Sequence, residues 1–356
     1  MSVRRQWKAA ISQAEPLWFD LEEAVNRTIE LIEEAAQNDA SLIAFSEIWI
    51  PGYPNFLWGG TYSENIPLVQ KYIKNSMSAH GPEMLRIRQA AAQNSIHVVL
   101  GFSERTASTS LYMAQVLIDD HGDVLLHRRK IKPTHLERTM FGDSTGDSLT
   151  TVADTKLGRI GMLNCWEHLQ PLLKYHTYAQ NEQVHIAAWP YNNESRGNEP
   201  WSVCNEANEV VASRMYAIEG GSFVLVTNQS VSEAGMKKNT EGHAANSQSF
   251  ACGGAGGGAA AVFAPDGRQL TAPSDPTLDG LIYCDIDLDM IDAAKTLADP
   301  VGHYSRPDLL RLVVDSQPKH FEERADGTPP PTLTSLFKPL GETVAEFENR
   351  RNAGTA

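Results

Sequence analysis

The sequence predicts an α/β fold built in layers, with mixed rather than wholly parallel sheets. Two observations carry this. Short apolar runs alternate with segments of helical period along most of the chain. Tight hairpins interrupt that alternation, which a doubly wound parallel sheet would not allow.

Taken in order, residues 8–12 form the first strand candidate. Asp20-Leu-Glu-Glu23 has a capping-box pattern, and Leu21, Val25, Ile29, Ile32 and Ala36 follow at helical spacing. Ser41-Leu-Ile-Ala-Phe-Ser-Glu47 is a short apolar run ending in a carboxylate, and Pro51-Gly52-Tyr53-Pro54 is a turn. Residues 55–75 are aromatic and irregular and read as an insertion or surface segment. Residues 83–93 read as a helix and 96–102 as a strand. Residues 111–118 and 123–126 flank Asp119-Asp-His-Gly-Asp123 as a hairpin. Arg128-Arg-Lys130-Ile-Lys132-Pro133 is a second polar-ended element. Residues 159–164 form the strand before Cys165, 168–180 a helix, 184–189 a strand, 205–219 a helix and 223–227 a strand. Residues 259–264 and 281–286, with the Pro265-Asp-Gly267 turn after the first of them, close the series with further strands. From about Ser316 the pattern dissolves, and Pro329-Pro-Pro331 suggests an extended tail. The division expected is one domain over residues 1–315 and an extension over 316–356.

A net charge of −14 argues against nucleic acid and anionic membrane as partners. No run approaches the ~20 apolar residues of a membrane span, and residues 1–13 lack the apolar segment of a signal peptide. The four cysteines, Cys165, Cys204, Cys252 and Cys284, are far apart and form no Cys-x-x-Cys, so reduced thiols in the cytoplasm are expected.

The chemistry gathers at Gly161-Met-Leu-Asn-Cys165-Trp-Glu-His168, where a cysteine ends an apolar run and a helix-starting segment follows. Backbone N–H groups at such a turn favour thiolate. Read alone, the residue serves equally as a small buried hydrophobe. Glu47 and Lys130 also end strand candidates, which is where catalytic groups collect in layered α/β folds. A carboxylate can take the thiol proton, and an ammonium can stabilise developing negative charge. Thiol, carboxylate and ammonium together suit attack on an electrophilic carbon attached to nitrogen. Taken singly, Glu47 and Lys130 also fit ordinary surface charges, and Lys132 competes with Lys130. Tyr53, Phe56, Trp58, Trp166 and Trp189 are candidates either for an apolar pocket or for core. Gly253-Gly-Ala-Gly-Gly-Gly258 leads into a strand candidate rather than a helix, which argues against a phosphate loop. The spacing of His168, His176 and His185 gives no metal set.

Several long segments, in order, resemble the nitrilase branch of the carbon–nitrogen hydrolase superfamily. They are Phe45-Ser-Glu47-Ile-Trp-Ile-Pro-Gly-Tyr-Pro54, His127-Arg-Arg-Lys130-Ile-Lys-Pro-Thr-His-Leu-Glu137-Arg138, Leu163-Asn-Cys165-Trp-Glu-His168, Glu182-Gln-Val-His-Ile-Ala-Ala-Trp-Pro190 and Asp299-Pro-Val-Gly-His-Tyr-Ser-Arg-Pro307. The resemblance, which runs from about residue 8 to 313, most of the chain, implies a four-layer αββα sandwich. It places the family's catalytic glutamate, lysine and cysteine on Glu47, Lys130 and Cys165, and its second glutamate on Glu137. It implies a nitrilase that converts an organic nitrile to the acid and ammonia without a cofactor, with substrate contacts from Tyr53, Trp58, His135, Trp166 and Trp189. Arylaceto- or aliphatic nitriles are favoured, with cyanide hydration or amide hydrolysis as alternatives. It further implies dimers that extend into spirals. Two departures stand out: Ser46 replaces a common proline, and Phe141-Gly-Asp-Ser-Thr-Gly-Asp-Ser148 is one residue longer than the commonest form.

Overall fold

The computed structural model describes residues 3–192, 200–244, 254–319 and 325–353. Two sheets are formed. In the first, β5 (Val124–Arg129), β4 (Leu111–Ile118), β3 (His97–Arg105), β2 (Ala40–Ala44) and β1 (Gln6–Ala14) lie in that order, with β11 (Gly280–Asp287) antiparallel on the far side of β1. In the second, β6 (Val152–Thr155), β7 (Gly158–Asn164), β8 (Val184–Ala188), β9 (Phe223–Gln229) and β10 (Ala261–Phe263) follow one another. The sheets touch where the last residues of β1 pair with the end of β9, Gln13 with Asn228 and Ala14 with Gln229.

The period of two along each strand decides what lies between the layers. On β1, Ala10 faces one core while Ala9 and Ile11 face another. On β9, Phe223 and Leu225 join Ala9 and Ile11, while Val224 and Val226 point the other way. The shared core is therefore the sheet-to-sheet interface. The outer face of the first sheet packs on α1 (Leu21–Gln37) and α3 (Pro82–Gln93) through residues such as Val25, Leu31 and Ile87. The outer face of the second packs on α4 (Pro171–Ala179) and α5 (Ser213–Gly220) through Tyr178, Tyr216 and Ala217. Helix, sheet, sheet and helix give the four layers, and the α/β class with a mixed sheet system is as the sequence predicts.

Three segments differ from the sequence reading. The stretch 55–75 is ordered structure: a short 3-10 helix, Asn55–Trp58, and then α2 (Tyr62–Lys74). Thr61 and Glu64 form a reciprocal capping box at its start, and Leu68 and Tyr72 bury one face. The helix after Cys165 is two pieces, a 3-10 turn at Cys165–Leu169 and then α4, because Pro171 restarts the chain at a first helical position. The C-terminal segment is not extended throughout. After residue 332 it docks on the first sheet and ends in α8 (Leu340–Ala353). His127 N–H donates to Thr334 Oγ1 at 2.9 Å, and buried Arg88 donates to the Gly122 and Lys338 carbonyls at 2.7 and 2.8 Å. That docking covers β5, an edge strand, which would otherwise be exposed to wrong pairing. Two further helices, α6 (Glu233–Asn239) and α7 (Asp289–Lys295), are short connectors. Among the described residues no helix is long and apolar enough to cross a membrane.

Candidate active site

β2, β5 and β7 run in one direction, since β2 is parallel to β1 and β3, β5 is two antiparallel steps from β3, and β7 is parallel to β8 and β9. Their C-terminal ends therefore open on one edge of the sandwich. Glu47 follows β2, Lys130 follows β5 and Cys165 follows β7. Glu137 arrives from the 3-10 turn His135–Thr139, seven residues past Lys130. The four side chains are buried.

The contacts between them are direct. Lys130 Nζ donates to Glu47 Oε1 at 2.9 Å and to Glu137 Oε2 at 2.8 Å. One oxygen of each carboxylate and Cys165 Sγ all lie within 4.8 Å of one another. Such a cluster has the donor types of a metal site, but here the cation that meets both carboxylates is the Lys130 ammonium. Glu47 Oε2 has no hydrogen-bond partner and is fully buried, which leaves a lone pair available for the thiol proton.

Each group is held from behind. Tyr53 O–H donates to Glu137 Oε1 at 2.8 Å, and Trp58 Nε1–H donates to Tyr53 Oη at 3.2 Å. Trp58 also stacks on His135, with ring centroids 5.4 Å apart. Gln229 Nε2 donates to the Glu47 carbonyl at 2.8 Å and fixes the loop that carries it. That loop lies so close to β3 that a Cβ on Gly101 would sit 2.3 Å from the Ser46 carbonyl oxygen. A side chain at Gly101 would push Glu47 out of place. Cys165 itself has φ +46°, a left-handed conformation that is uncommon for residues with a Cβ.

A buried ion pair ties the lysine and cysteine strands together. Arg128 donates to Glu167 through two bonds, at 2.8 and 2.6 Å. Glu167 also accepts from Asn164 N–H at 2.8 Å and from Ile131 N–H at 2.9 Å. One carboxylate thus grips the residue before Cys165 and the residue after Lys130. Burial alone would raise the Glu167 pKa, but the Arg128 guanidinium and these donors hold it below the usual carboxylate range. The pair was not legible in the sequence, because its partners are 39 residues apart; the signal available was an arginine and a glutamate each flanking a reactive residue. Glu167→Gln is expected to cost about 3 kcal/mol of stability, since an uncompensated guanidinium stays buried. It is also expected to lower kcat at least about tenfold, because small displacements of reacting groups are that costly. Thermal denaturation and steady-state kinetics of the variant check both.

Electrostatics sets the resting protonation. Burial raises the Glu47 carboxyl, Lys130 lowers it and Glu137 raises it, leaving it pushed up to about 8. Burial and the neighbouring Glu47 also push the Cys165 thiol well up, against the pull of Lys130. For Lys130, burial is outweighed by Glu137 and Glu47, and its pKa is raised. The thiolate expected from the turn geometry is therefore not the resting form. The turn after Cys165 is a single short 3-10 helix, too little dipole to offset burial.

Of the other residues singled out by sequence, Trp166 is half-buried and lines a 540 Å³ cavity with Ile131, Thr134, His135, Arg138 and Leu173. Trp189 is placed elsewhere: it is fully buried, stacked on His168, with its indole N–H donating to Ser213 Oγ at 3.1 Å, and it packs as core. The start of the glycine run, Gly253, lies outside the described residues; Gly254–Gly258 lead into β10 and not into a helix.

A buried thiol beside a partnerless carboxylate oxygen and a lysine held by two carboxylates has the parts that thiol-dependent hydrolysis needs. The comparisons name the family. Residues 8–296 match the Carbon-nitrogen hydrolase family. An arylacetonitrilase of Aspergillus kawachii is 49% identical over 324 residues, covering 90% of this chain and 95% of that one. A cyanide hydratase of Penicillium rubens is 44% identical over 357 residues, covering 98% of each. Among solved structures, a carbon–nitrogen hydrolase of Helicobacter pylori G27 superposes with a TM-score of 0.65 at 18% identity, covering 85% of this chain and 96% of that one. The chain belongs to the carbon–nitrogen hydrolase family.

Proposed function

We propose that this protein is a nitrilase that hydrolyses an organic nitrile to the carboxylic acid and ammonia, with Cys165 as nucleophile. The observation that carries the reading is the convergence of Cys165, Glu47 and Lys130 in one buried site, in a chain whose relatives include arylacetonitrilases. Glu47 takes the thiol proton as sulfur bonds to the nitrile carbon, and the nitrogen is protonated to give a thioimidate. Lys130 stabilises the charge that develops on nitrogen and then on oxygen. Water activated by Glu47 adds, the C–N bond breaks and ammonia leaves a thioester. A second water releases the acid and restores the thiol. If the tetrahedral intermediate expels sulfur instead, an amide forms. Glu137 holds Lys130 in place, and no cofactor takes part in these steps.

Trp166 and His135 line a cavity, and His135 stacks on Trp58, which bonds Tyr53; an aryl-bearing substrate suits such aromatic surroundings. Cyanide hydration is a second reading, favoured by relatives of that name aligned along nearly the whole chain. Ammonia release and product analysis with phenylacetonitrile, mandelonitrile, a short aliphatic dinitrile, cyanide and a matched amide test these readings. The first two are expected to be good substrates. Cyanide or the amide as the sole good substrate would reject the preference.

The pH dependence has a definite sign. The base form of Glu47 is the carboxylate, and its pKa is pushed up to about 8. kcat/KM is therefore expected to climb with pH and to level off above about 8. A profile already flat from about pH 6 would contradict a base whose pKa is raised.

The same reading includes a cytoplasmic location with reduced thiols and a homo-oligomer larger than a dimer. Leu172 on α4 and Met215 and Ile218 on α5 are exposed apolar side chains on the outer helical layer, which supports assembly there. Light scattering is expected to give a particle larger than a dimer; a stable active monomer would contradict it.

A further inference from the structure

From the Cys165 carbonyl runs a chain of buried groups that the reaction steps above do not use. His168 Nδ1 meets the Cys165 carbonyl oxygen at 2.6 Å. His168 Nε2 meets His185 Nε2 at 3.0 Å, and His185 Nδ1 meets Glu182 Oε2 at 2.8 Å. Tyr216 O–H donates to Glu182 Oε1 at 2.5 Å. All four side chains are buried, and Trp189 and Tyr216 stack on the two imidazoles.

Counting protons along this chain leaves one arrangement for His168. A carbonyl only accepts, so His168 Nδ1 carries a hydrogen and donates. Burial and the neighbouring His185 keep His168 neutral, so its Nε2 is an acceptor. His185 Nε2 must then be the donor between the two rings. The contact between His185 Nδ1 and Glu182 holds one more proton, whichever of the two atoms bears it. Either way His185 Nε2 carries a hydrogen, and its donation fixes the tautomer of His168.

The carbonyl that His168 holds belongs to the peptide joining Cys165 and Trp166. The N–H of that same peptide, on Trp166, is a donor that favours the charged form of the Cys165 sulfur. A planar peptide fixed at its oxygen is fixed at its N–H. Cys165 adopts φ +46°, an uncommon backbone conformation that needs a restraint from its surroundings. We infer that His168, oriented by His185 and Glu182, is a positioning residue that holds the Cys165–Trp166 peptide with its N–H directed into the site, where it stabilises the anionic sulfur and the intermediates formed from it. The inference deepens the proposed function and rests on Cys165 being the nucleophile.

The test compares His168→Leu, which removes the donor, with His168→Asn, whose side-chain N–H₂ lies as many bonds from Cα as Nδ1. His168→Leu is expected to lower kcat at least about tenfold with KM within about twofold, and to slow carbamidomethylation of Cys165, followed by peptide mass mapping, by a similar factor. His168→Asn is expected to restore both to within about threefold of the unaltered protein. His185→Phe frees His168 to take the other tautomer, so it is expected to lower kcat in the parent protein but to add nothing in the His168→Asn background. This last comparison stands even if His168→Leu does not fold. Equal losses from His185→Phe in both backgrounds, or unchanged Cys165 reactivity in a folded His168→Leu, would overturn the inference. Because alkylation is read independently of turnover, that outcome is distinct from failure of the nitrilase reading itself.

Discussion

Cys165→Ala is expected to abolish ammonia release from every nitrile tested, a loss of at least about 10⁴-fold, while leaving the fold intact. The size follows from the role: removing a nucleophile that acts in a unit with its base leaves only binding and charge stabilisation behind. The fold survives because the side chain is a small one at the edge of the outer core, among Leu163, Tyr178 and Ala187. Its left-handed φ of +46° is no worse for alanine than for cysteine. Glycine has no Cβ to strain there, so Cys165→Gly is expected to be at least as stable as Cys165→Ala and equally inactive. Circular dichroism and melting curves separate loss of chemistry from loss of structure. Appreciable turnover by either variant would remove Cys165 from the mechanism.

Lys130→Met is expected to have the second largest effect, on stability as well as rate. The ammonium is buried between Glu47 and Glu137 and is bonded to both. Without it, two buried carboxyl groups face each other. Stranding buried charge in this way costs about 3–5 kcal/mol, and turnover should fall at least about 10³-fold with the loss of the group that meets developing charge. The stability loss has a pH signature. Without the lysine, Glu47 loses the ammonium that lowers its pKa, so a folded value already pushed up to about 8 lies still further above the unfolded one. Such a group destabilises as pH rises from the unfolded value toward the raised folded value, and relief comes on acidification. The melting gap between Lys130→Met and the unaltered protein should therefore narrow from about pH 8 to about pH 5. A gap independent of pH would mean that the lysine acts through packing alone.

These expectations rest on residues that differ in how far the sequence disclosed them. Glu47, Lys130 and Cys165 each end an apolar run, and strand direction alone brings such ends to one edge. Glu137 needed the family resemblance, because nothing in a short 3-10 turn marks its glutamate as inward-facing. The Tyr53–Glu137 bond joins residues 84 apart, and the Arg128–Glu167 pair joins two different strands. Long-range partners of this kind leave no periodic trace. The helix at Tyr62–Lys74 had a local signal, the Thr61–Glu64 capping box, but Pro67 and the aromatic residues around it masked the helical period. The terminal helix shows few buried apolar positions of its own; Arg88 and β5 hold its start, and those are tertiary facts. The ionisation of Cys165 is not legible in the sequence, because turn geometry argues for thiolate whereas depth of burial, which pushes the thiol up, is not a local property.

The most direct test of the central claim is the mass of the Cys165 peptide after the protein is mixed with phenylacetonitrile and quenched in acid during turnover. The mechanism predicts a fraction of that peptide heavier by the acyl group of the substrate, absent in Cys165→Ala. Acid and ammonia formed at full rate with Cys165 unmodified at every quench time, under conditions that preserve a thioester, would contradict it.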